Sequence, residues 1–595
     1  MTDPVSTSPA PRLHLGQATA AVDQAVERAR AEEWATRLFD RDVTLWSTDP
    51  RVGAAIGERL GWLDAPVHFA DRIAALEGFG DAIVDQSYTT VVVAGMGGSS
   101  LTPDVLHRTF GSQEGYPDLR ILDSTDPAFV AATVDDLDPL RTLFIVASKS
   151  GTTTEPNAFL ADAWARAHAA LDAVGHHSNE SPGAYIAAIT DPGKSVEAFA
   201  HHDEFREVFL NPPDIGGRYS ALTYVGLVPA SVIGLDLDAL LASATAMLGL
   251  CREPDPRANP GASLGLAIGT LAKTGRDKLT FLTDDAVSSF GAWAEQLIAE
   301  STGKRGLGIV PVDLEPLGAI ERYGTDRVFV RIALAGTDDR VRDDLATALE
   351  AAGHPVIRID IPDPIDLGAE FVRWEVATAI AGVVLGIDPF DQPNVEEAKQ
   401  LTRDVLARHD RAEGTASPPP TPIAQGDGLE LHGDAALRLT SGDGGVASEL
   451  ARHLARHRPN AYLCLQAFIA PTAGRDDAIA RIRTLLRDRT GRATTAGYGP
   501  RFLHSTGQLH KGGAPIGWFL QLTADHPVDR RIPGWPYTFG QLIDAQASGD
   551  FAAIESHDLP ILRVHLGDDP DAGLAALEQA LQTALDITLD TPTEV

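Results

Sequence analysis

Short unbroken runs of β-branched and apolar residues, each followed by a stretch of helical periodicity, set the architecture of this chain. TTVVVAGM (89–96), LRILDS (119–124), TLFIVAS (142–148), AYIAAIT (184–190) and EVFLN (207–211) alternate with helical segments. A continuous apolar run of this length is a strand covered on both faces, and the intervening helices supply the covers. The pattern therefore predicts a doubly wound parallel sheet, whose ligands bind at the carboxyl ends of the strands. After a helical stretch from Tyr219 to about Cys251 it starts again with KLTFLTD, GIVPVDL, DRVFVRIAL and PVIRIDI, ending in the helix VEEAKQLTRDVLARHD. Beyond a Pro-rich stretch, NAYLCLQAFI, WFLQLTA and PILRVHL predict a smaller third unit. The expected fold is α/β: two doubly wound parallel-sheet domains and a C-terminal α/β domain. Residues 1–85 are expected to form a disordered N-terminus and helical lead-in, 86–250 and 251–411 the two sheet domains, 412–425 a linker, and 426–595 the third domain. The first dozen residues, rich in Ser, Thr and Pro, are expected to be disordered.

Composition removes several classes of function. With 49 Lys plus Arg against 83 Asp plus Glu, the formal charge of -34 repels nucleic acid and anionic membrane surfaces alike. The absence of a long apolar run and of a signal-like N-terminus points to a cytoplasmic protein. Cys251 and Cys464, far apart in sequence, make neither a disulfide framework nor a cysteine-built zinc site. With no H-E-x-x-H string either, no metal and no organic cofactor is expected.

Two loops carry the chemistry. Gly95-Met96-Gly97-Gly98-Ser99-Ser100 ends the first strong strand and opens a helix. Glycines let backbone N–H groups approach an anion, and a helix N-terminus favours it, so Gly97, Gly98 and Ser99 are candidate phosphate ligands. The string is neither a dinucleotide fingerprint nor a P-loop. Ser148-Lys149-Ser150-Gly151-Thr152-Thr153-Thr154-Glu155 places five hydroxyls in seven positions at the start of the next helix. Capping needs one or two, so Ser148, Ser150, Thr152 and Thr153 are candidates to surround a phosphate. Lysine is scarce, with seven in the chain, at 149, 194, 273, 278, 304, 399 and 511, which draws attention to those inside motifs.

Further strings make the resemblance specific. The two loops resemble those of the SIS phosphosugar-binding domain. Gly216-Gly217-Arg218-Tyr219-Ser220 is similar to the G-G-R-[YF]-S signature of the phosphoglucose isomerase family, Glu300-Ser301-Thr302-Gly303-Lys304 to its E-S-[NT]-G-K signature, and Phe390-Asp391-Gln392 through Lys399 to its F-D-Q-x-x-V-E-x-x-K helix. The form it most resembles is found in bifunctional transaldolase/phosphoglucose isomerase proteins. About 90 residues precede the first loop, too few for a transaldolase barrel of roughly 250 residues, so that activity is not expected.

The resemblance implies an aldose–ketose isomerase acting through a cis-enediol. Glu300 would be the base that moves the proton between C2 and C1, Arg218 would stabilise the enediolate, and Lys399 would assist ring opening. Lys149 would support the phosphate loop, while Gln296 and Gln392 would bind sugar hydroxyls. The family's ring-opening histidine lies in a G-T-N-G-Q-H string and enters from a neighbouring subunit. Here Tyr323-Gly324-Thr325-Asp326-Arg327 occupies that interval without a histidine. The nearest counterpart is Ser505-Thr506-Gly507-Gln508-Leu509-His510 in the third unit, which nominates His510, with His504 the weaker choice. A homodimer is implied by the resemblance, and a self-sufficient monomer if the third unit delivers the histidine. A non-catalytic phosphosugar-binding regulator or scaffold is the competing reading.

Overall fold

The computed structural model describes residues 10–175, 181–411, 421–440, 442 and 444–590. Strand β1 (Arg12–His14) is followed by a lead-in of helices, from Thr19–Ala31 to Ile73–Asp85. The first sheet comprises β2 (Thr90–Gly95), β3 (Asp118–Leu122), β4 (Thr142–Ala147), β5 (Ile186–Thr190) and β6 (Glu207–Leu210), all parallel in the order β3-β2-β4-β5-β6. Every residue of β2, β4 and β5 is buried, as their unbroken apolar sequence requires.

The second sheet comprises β7 (Lys278–Thr283), β8 (Val310–Val312), β9 (Arg327–Leu334) and β10 (Val356–Ile361), in the order β1-β10-β9-β7-β8. Arg12, expected among the disordered residues, belongs to β1, which pairs antiparallel with β10. A three-residue strand has no periodicity to read, and what fixes it is the open edge of β10. Pro311 lies in β8 at the opposite edge, where a missing N–H costs nothing to the ladder. Of the expected linker, residues 412–420 lie outside the described residues, and Ala424–Gly426 forms β11.

The third sheet adds β12 (Leu429–Gly433), β13 (Tyr462–Phe468), β14 (Ala493–Tyr498), β15 (Gly517–Thr523) and β16 (Ile561–His565), in the order β11-β12-β16-β15-β13-β14. Its last four strands are parallel. The expectation of an α/β fold built on parallel sheets holds. Strand β14 was not expected, because ATTAGY contains no apolar run.

This third unit touches both others. Towards the first sheet, Ile532, Phe539 and Leu542 join a core containing Val92, Phe144 and Phe159. Arg530 pairs with Asp162 at 2.8 Å, and Arg501 with Asp104 at 3.1 Å and Asp123 at 3.3 Å. Towards the second, Leu509 packs with Ala299 and Val310. Arg483 donates to the carbonyls of Asp313 and Leu314, while Glu315 accepts from the Thr494 N–H.

Candidate functional site

A cavity of about 370 Å³ opens at the carboxyl ends of β2 and β4. Its floor begins where β2 turns into the helix Gly98–Phe110. Gly97 has φ of +57°, and a Cβ there would lie 2.6 Å from Gln296 Nε2 and 2.7 Å from the His504 carbonyl oxygen. Only glycine lets these three segments meet. Ser148, Lys149, Ser150 and Thr153 line the adjacent wall, formed where β4 runs into the helix Thr154–Ala173. Ser148 Oγ and Thr153 Oγ1 lie 2.9 Å apart, so the hydroxyls satisfy one another while facing the cavity. Thr152 is not part of the lining; its hydroxyl lies 2.8 Å from that of Ser150. Lys149 pairs with Asp191 at 2.6 Å and donates to the Pro213 carbonyl at 2.9 Å.

The opposite wall is charged and tightly wired. Glu300, on the helix Phe290–Thr302, is 6% exposed, and its Oε1 lies 3.0 Å from Arg218 Nη1. The other oxygen accepts from Gln296 Nε2 at 3.1 Å, the two residues being one helical turn apart. Arg218 also donates to Ser301 Oγ at 2.8 Å, to Gln392 Oε1 at 3.1 Å, and to the carbonyls of Pro389 and Asp391. Lys304 pairs with Asp391 at 2.7 Å and donates to the Asp388 carbonyl, holding the loop that presents Gln392. Burial, with the Arg218 charge adding to it, lowers the Lys304 ammonium to about 8. Gln296 Oε1 is buried and has no partner among the described residues, leaving an acceptor for a sugar hydroxyl.

The structure brings Gly97, Gly98, Ser99, Ser148, Lys149, Ser150, Thr153, Arg218, Gln296, Glu300 and Gln392 into one cavity. The histidine assignment is revised. His510 is 4% exposed and lies inside the third unit, with Nε2 3.7 Å from Cys464 Sγ and Nδ1 3.4 Å from Gln466 Nε2. Burial, then the nearby Lys511 charge, holds its imidazole well below the ordinary histidine range. His504 lines the cavity instead, its Nε2 3.1 Å from Glu155 Oε1. Gln546 donates to the same Glu155 oxygen at 2.6 Å. The side chain of Lys399 lies outside the described residues, although its backbone is helical within Val395–Arg411.

Sequence reasoning missed Glu155, Asp191, Ser195 and Gln546. Glu155 sits at the end of the hydroxyl string, where an acidic residue reads as a favourable first-turn charge. Asp191, Ser195 and Gln546 carry no local signal; only the third dimension brings them here.

Residues 59–309 match the sequence pattern of the Phosphoglucose isomerase family. A glucose-6-phosphate isomerase of Rubrobacter xylanophilus is 31% identical over 413 residues, which are 60% of this chain and 93% of that protein. The chain belongs to the glucose-6-phosphate isomerase family. A member from Symbiobacterium thermophilum is likewise 31% identical, over 58% of this chain and 87% of its own length. Among solved structures, a hypothetical protein of Thermus thermophilus superposes with a TM-score of 0.54 and 25% identity, covering 67% of this chain and all of its own. About a third of this family member thus has no counterpart in that fold. Among the described residues no helix is long and apolar enough to cross a membrane, and no cluster of His, Cys, Asp and Glu could hold a metal ion.

Proposed function

We infer that this chain interconverts glucose 6-phosphate and fructose 6-phosphate. The observation that carries the reading is Glu300, a buried carboxylate flanked by the Arg218 guanidinium across a cavity from a hydroxyl-lined helix start. A sugar phosphate fits this polarity. Its dianion would lie against Ser148, Ser150 and Thr153, where the start of the helix Thr154–Ala173 supplies free N–H groups. Lys149, held by Asp191, adds charge beside them. The phosphate then directs the carbon chain towards Glu300.

Ring opening requires a proton to be delivered to the ring oxygen and one removed from the hydroxyl at the anomeric carbon. His504 is assigned this exchange, with Glu155 fixing its tautomer and Gln546 fixing Glu155. Lys399 assists on the strength of the family resemblance. Glu300 next takes the proton from C2 of the open aldose, and electrons move towards the carbonyl oxygen. The negative charge that accumulates there is larger than in the substrate, so the fixed Arg218 cation, already locked by four other hydrogen bonds, stabilises it selectively. Within the enediolate the C2 hydroxyl proton passes to the C1 oxygen, giving O1 its hydroxyl and leaving the charge on O2, and returning the carbon-bound proton from Glu300 to C1 as the C2 carbonyl forms gives the ketose. A base that is largely out of water holds the proton between the two carbons.

The third unit supplies the histidine from the same chain, which favours a monomer that completes its own site. A non-catalytic sensor would need the phosphate cradle alone, and the Glu300–Arg218–Gln296 network exceeds that need. The test is conversion of fructose 6-phosphate to glucose 6-phosphate by the purified chain in chelator, beside Glu300→Gln. Turnover that collapses in the variant supports the reading. A parent chain that gains thermal stability from the sugar phosphate without turning it over would refute it in favour of the sensor.

A further inference from the structure

A second cavity, of about 240 Å³, lies in the third unit between the sheet and the helix Phe539–Ser556, and the proposed reaction has no use for it. Arg563 of β16 lines it, with Arg438, Ser548 and Phe551. In a chain of charge -34, cations normally find carboxylates: the buried Arg327 and Arg373 each pair with one, and Arg331 with two. Arg563 does not. Its Nε donates to Gln521 Oε1 at 2.7 Å and its face rests 5.2 Å from the Phe551 ring centroid. Its two terminal nitrogens, the fork that binds an oxyanion bidentately, have no partner among the described residues. Glu555, the acid in the lining, is already held by Arg438 at 2.8 Å and by the Ala435 N–H at 2.7 Å. Burial, opposed by the more distant charges of Asp544 and Asp550, lowers Arg563 to about 10, and an oxyanion in direct contact would raise it again.

The cavity is wired to the catalytic pocket. Gln521 receives Arg563 on its oxygen and donates its Nε2 to the Ala547 carbonyl at 3.0 Å. The preceding residue on that helix, Gln546, donates to Glu155, which holds His504. Gln521, Gln546 and Glu155 are 0%, 3% and 5% exposed, so water does not interrupt the series.

We propose that this cavity is an effector site for a compact oxyanion, a phosphate or carboxylate on a small organic body, whose binding to Arg563 alters turnover through Gln521, Gln546 and Glu155. The effector role rests on the isomerase reading; the binding site does not. Coupling of this kind is reciprocal for binding, so substrate and effector must each change the other's affinity by one factor.

Equilibrium dialysis of the full chain with radiolabelled inorganic phosphate tests the site. Two phosphates per chain are expected, and one in Arg563→Met. Arg438→Gln, at a more exposed position, is expected to weaken the second phosphate and guards against a folding defect in the first variant. One phosphate per chain in the parent, or two bound equally in parent and both variants, overturns the proposal. Displacement of the second phosphate by succinate would mark a site for carboxylates as well, and its persistence a site for phosphates. The effector role is read at saturating fructose 6-phosphate, where competition at the catalytic pocket is suppressed. A change in kcat of about fivefold or more, the lower end of the usual range of coupling energies, that vanishes in Arg563→Met is expected. Two bound phosphates with an unchanged kcat overturn the effector role, and this outcome is distinct from a parent chain without turnover, which would instead refute the isomerase reading.

Discussion

The imidazole of His504, on the third unit, stands 3.1 Å from the carboxylate of Glu155, on the first, although 349 residues separate them in the chain. On the proposed assignment, docking of the third unit is part of the catalytic apparatus, because His504 and the carboxylate that orients it belong to different units. Glu155→Gln removes the carboxylate that orients the imidazole, and His504→Ala removes the group itself. His504→Ala is expected to lower turnover of the cyclic sugar by about 10²-fold and that of an open-chain substrate far less, as befits a lost proton shuttle. Steady-state assays on both substrates check this. Equal losses on the two would sink the assignment. In His510→Ala, kcat per folded molecule is expected to stay near the parent value while the melting temperature falls, because that ring fills interior space beside Cys464 and Phe519.

Glu300→Gln keeps the size and polarity of the side chain but cannot accept a proton. A drop in kcat of about 10³-fold with little change in KM is expected. A matching rise in KM would mean that Glu300 binds the sugar rather than reacting with it.

The junction of the second and third units is set to weaken as pH rises. Removal from water, reinforced by the Asp313 carboxylate and opposed by Arg483 and Arg501, raises Glu295 from 4.5 to about 8. Burial, opposed by Arg483, raises Asp313 from 3.8 to about 7. Both bind protons more tightly folded than unfolded, so between the ordinary and raised values the folded state carries more protons and loses stability with each increment of pH. Calorimetry from pH 5 to 9 should show the melting temperature falling to about pH 8 and then levelling from these two groups. In Glu295→Gln the fall is expected to be shallower; an unchanged slope would show that Glu295 is not its source.

Arg501 ties the turn bearing His504 to the first sheet through Asp104 and Asp123. Arg501→Met leaves Asp123, 5% exposed, without its cation, which should cost roughly 3 kcal/mol. Denaturant titration measures that loss. The remaining folded protein is expected to lose kcat on cyclic substrate more than on linear substrate, because His504 is no longer aimed.

If one chain completes the site, specific activity is independent of protein concentration. Dilution from micromolar to nanomolar should leave it unchanged. A fall that is restored on concentration would place a second copy at the cavity.

The glycine turn and the hydroxyl cluster at a helix start were legible in the sequence as local devices, and Glu300 through its resemblance to the E-S-[NT]-G-K signature; the structure brings all three to one cavity. The histidine was not legible. Gln508 and His510 mimic a familiar spacing, yet the short helix Gly507–Gly512 turns Gln508 onto Gly303 and Asn394 and His510 into the interior. His504 faces the cavity because it closes the 3-10 turn Arg501–His504, whose direction is set by Asp104 and Asp123 more than 370 residues earlier. Strand β14 escaped notice for a related reason, as small and polar residues suffice where the partners β13 and β8 supply the bulk.

The order in which the chain is synthesised gives the Arg501 and Gln546 contacts another meaning. Domains fold as they emerge, N-terminal first. The phosphate loops and Glu300 are assembled from the first 300 residues, but His504 and its support at Gln546 leave the ribosome much later. On the proposed assignment, a polypeptide ended before the third unit is expected to hold sugar phosphate without opening its ring, and catalytic competence arrives only after Gln546 has been added.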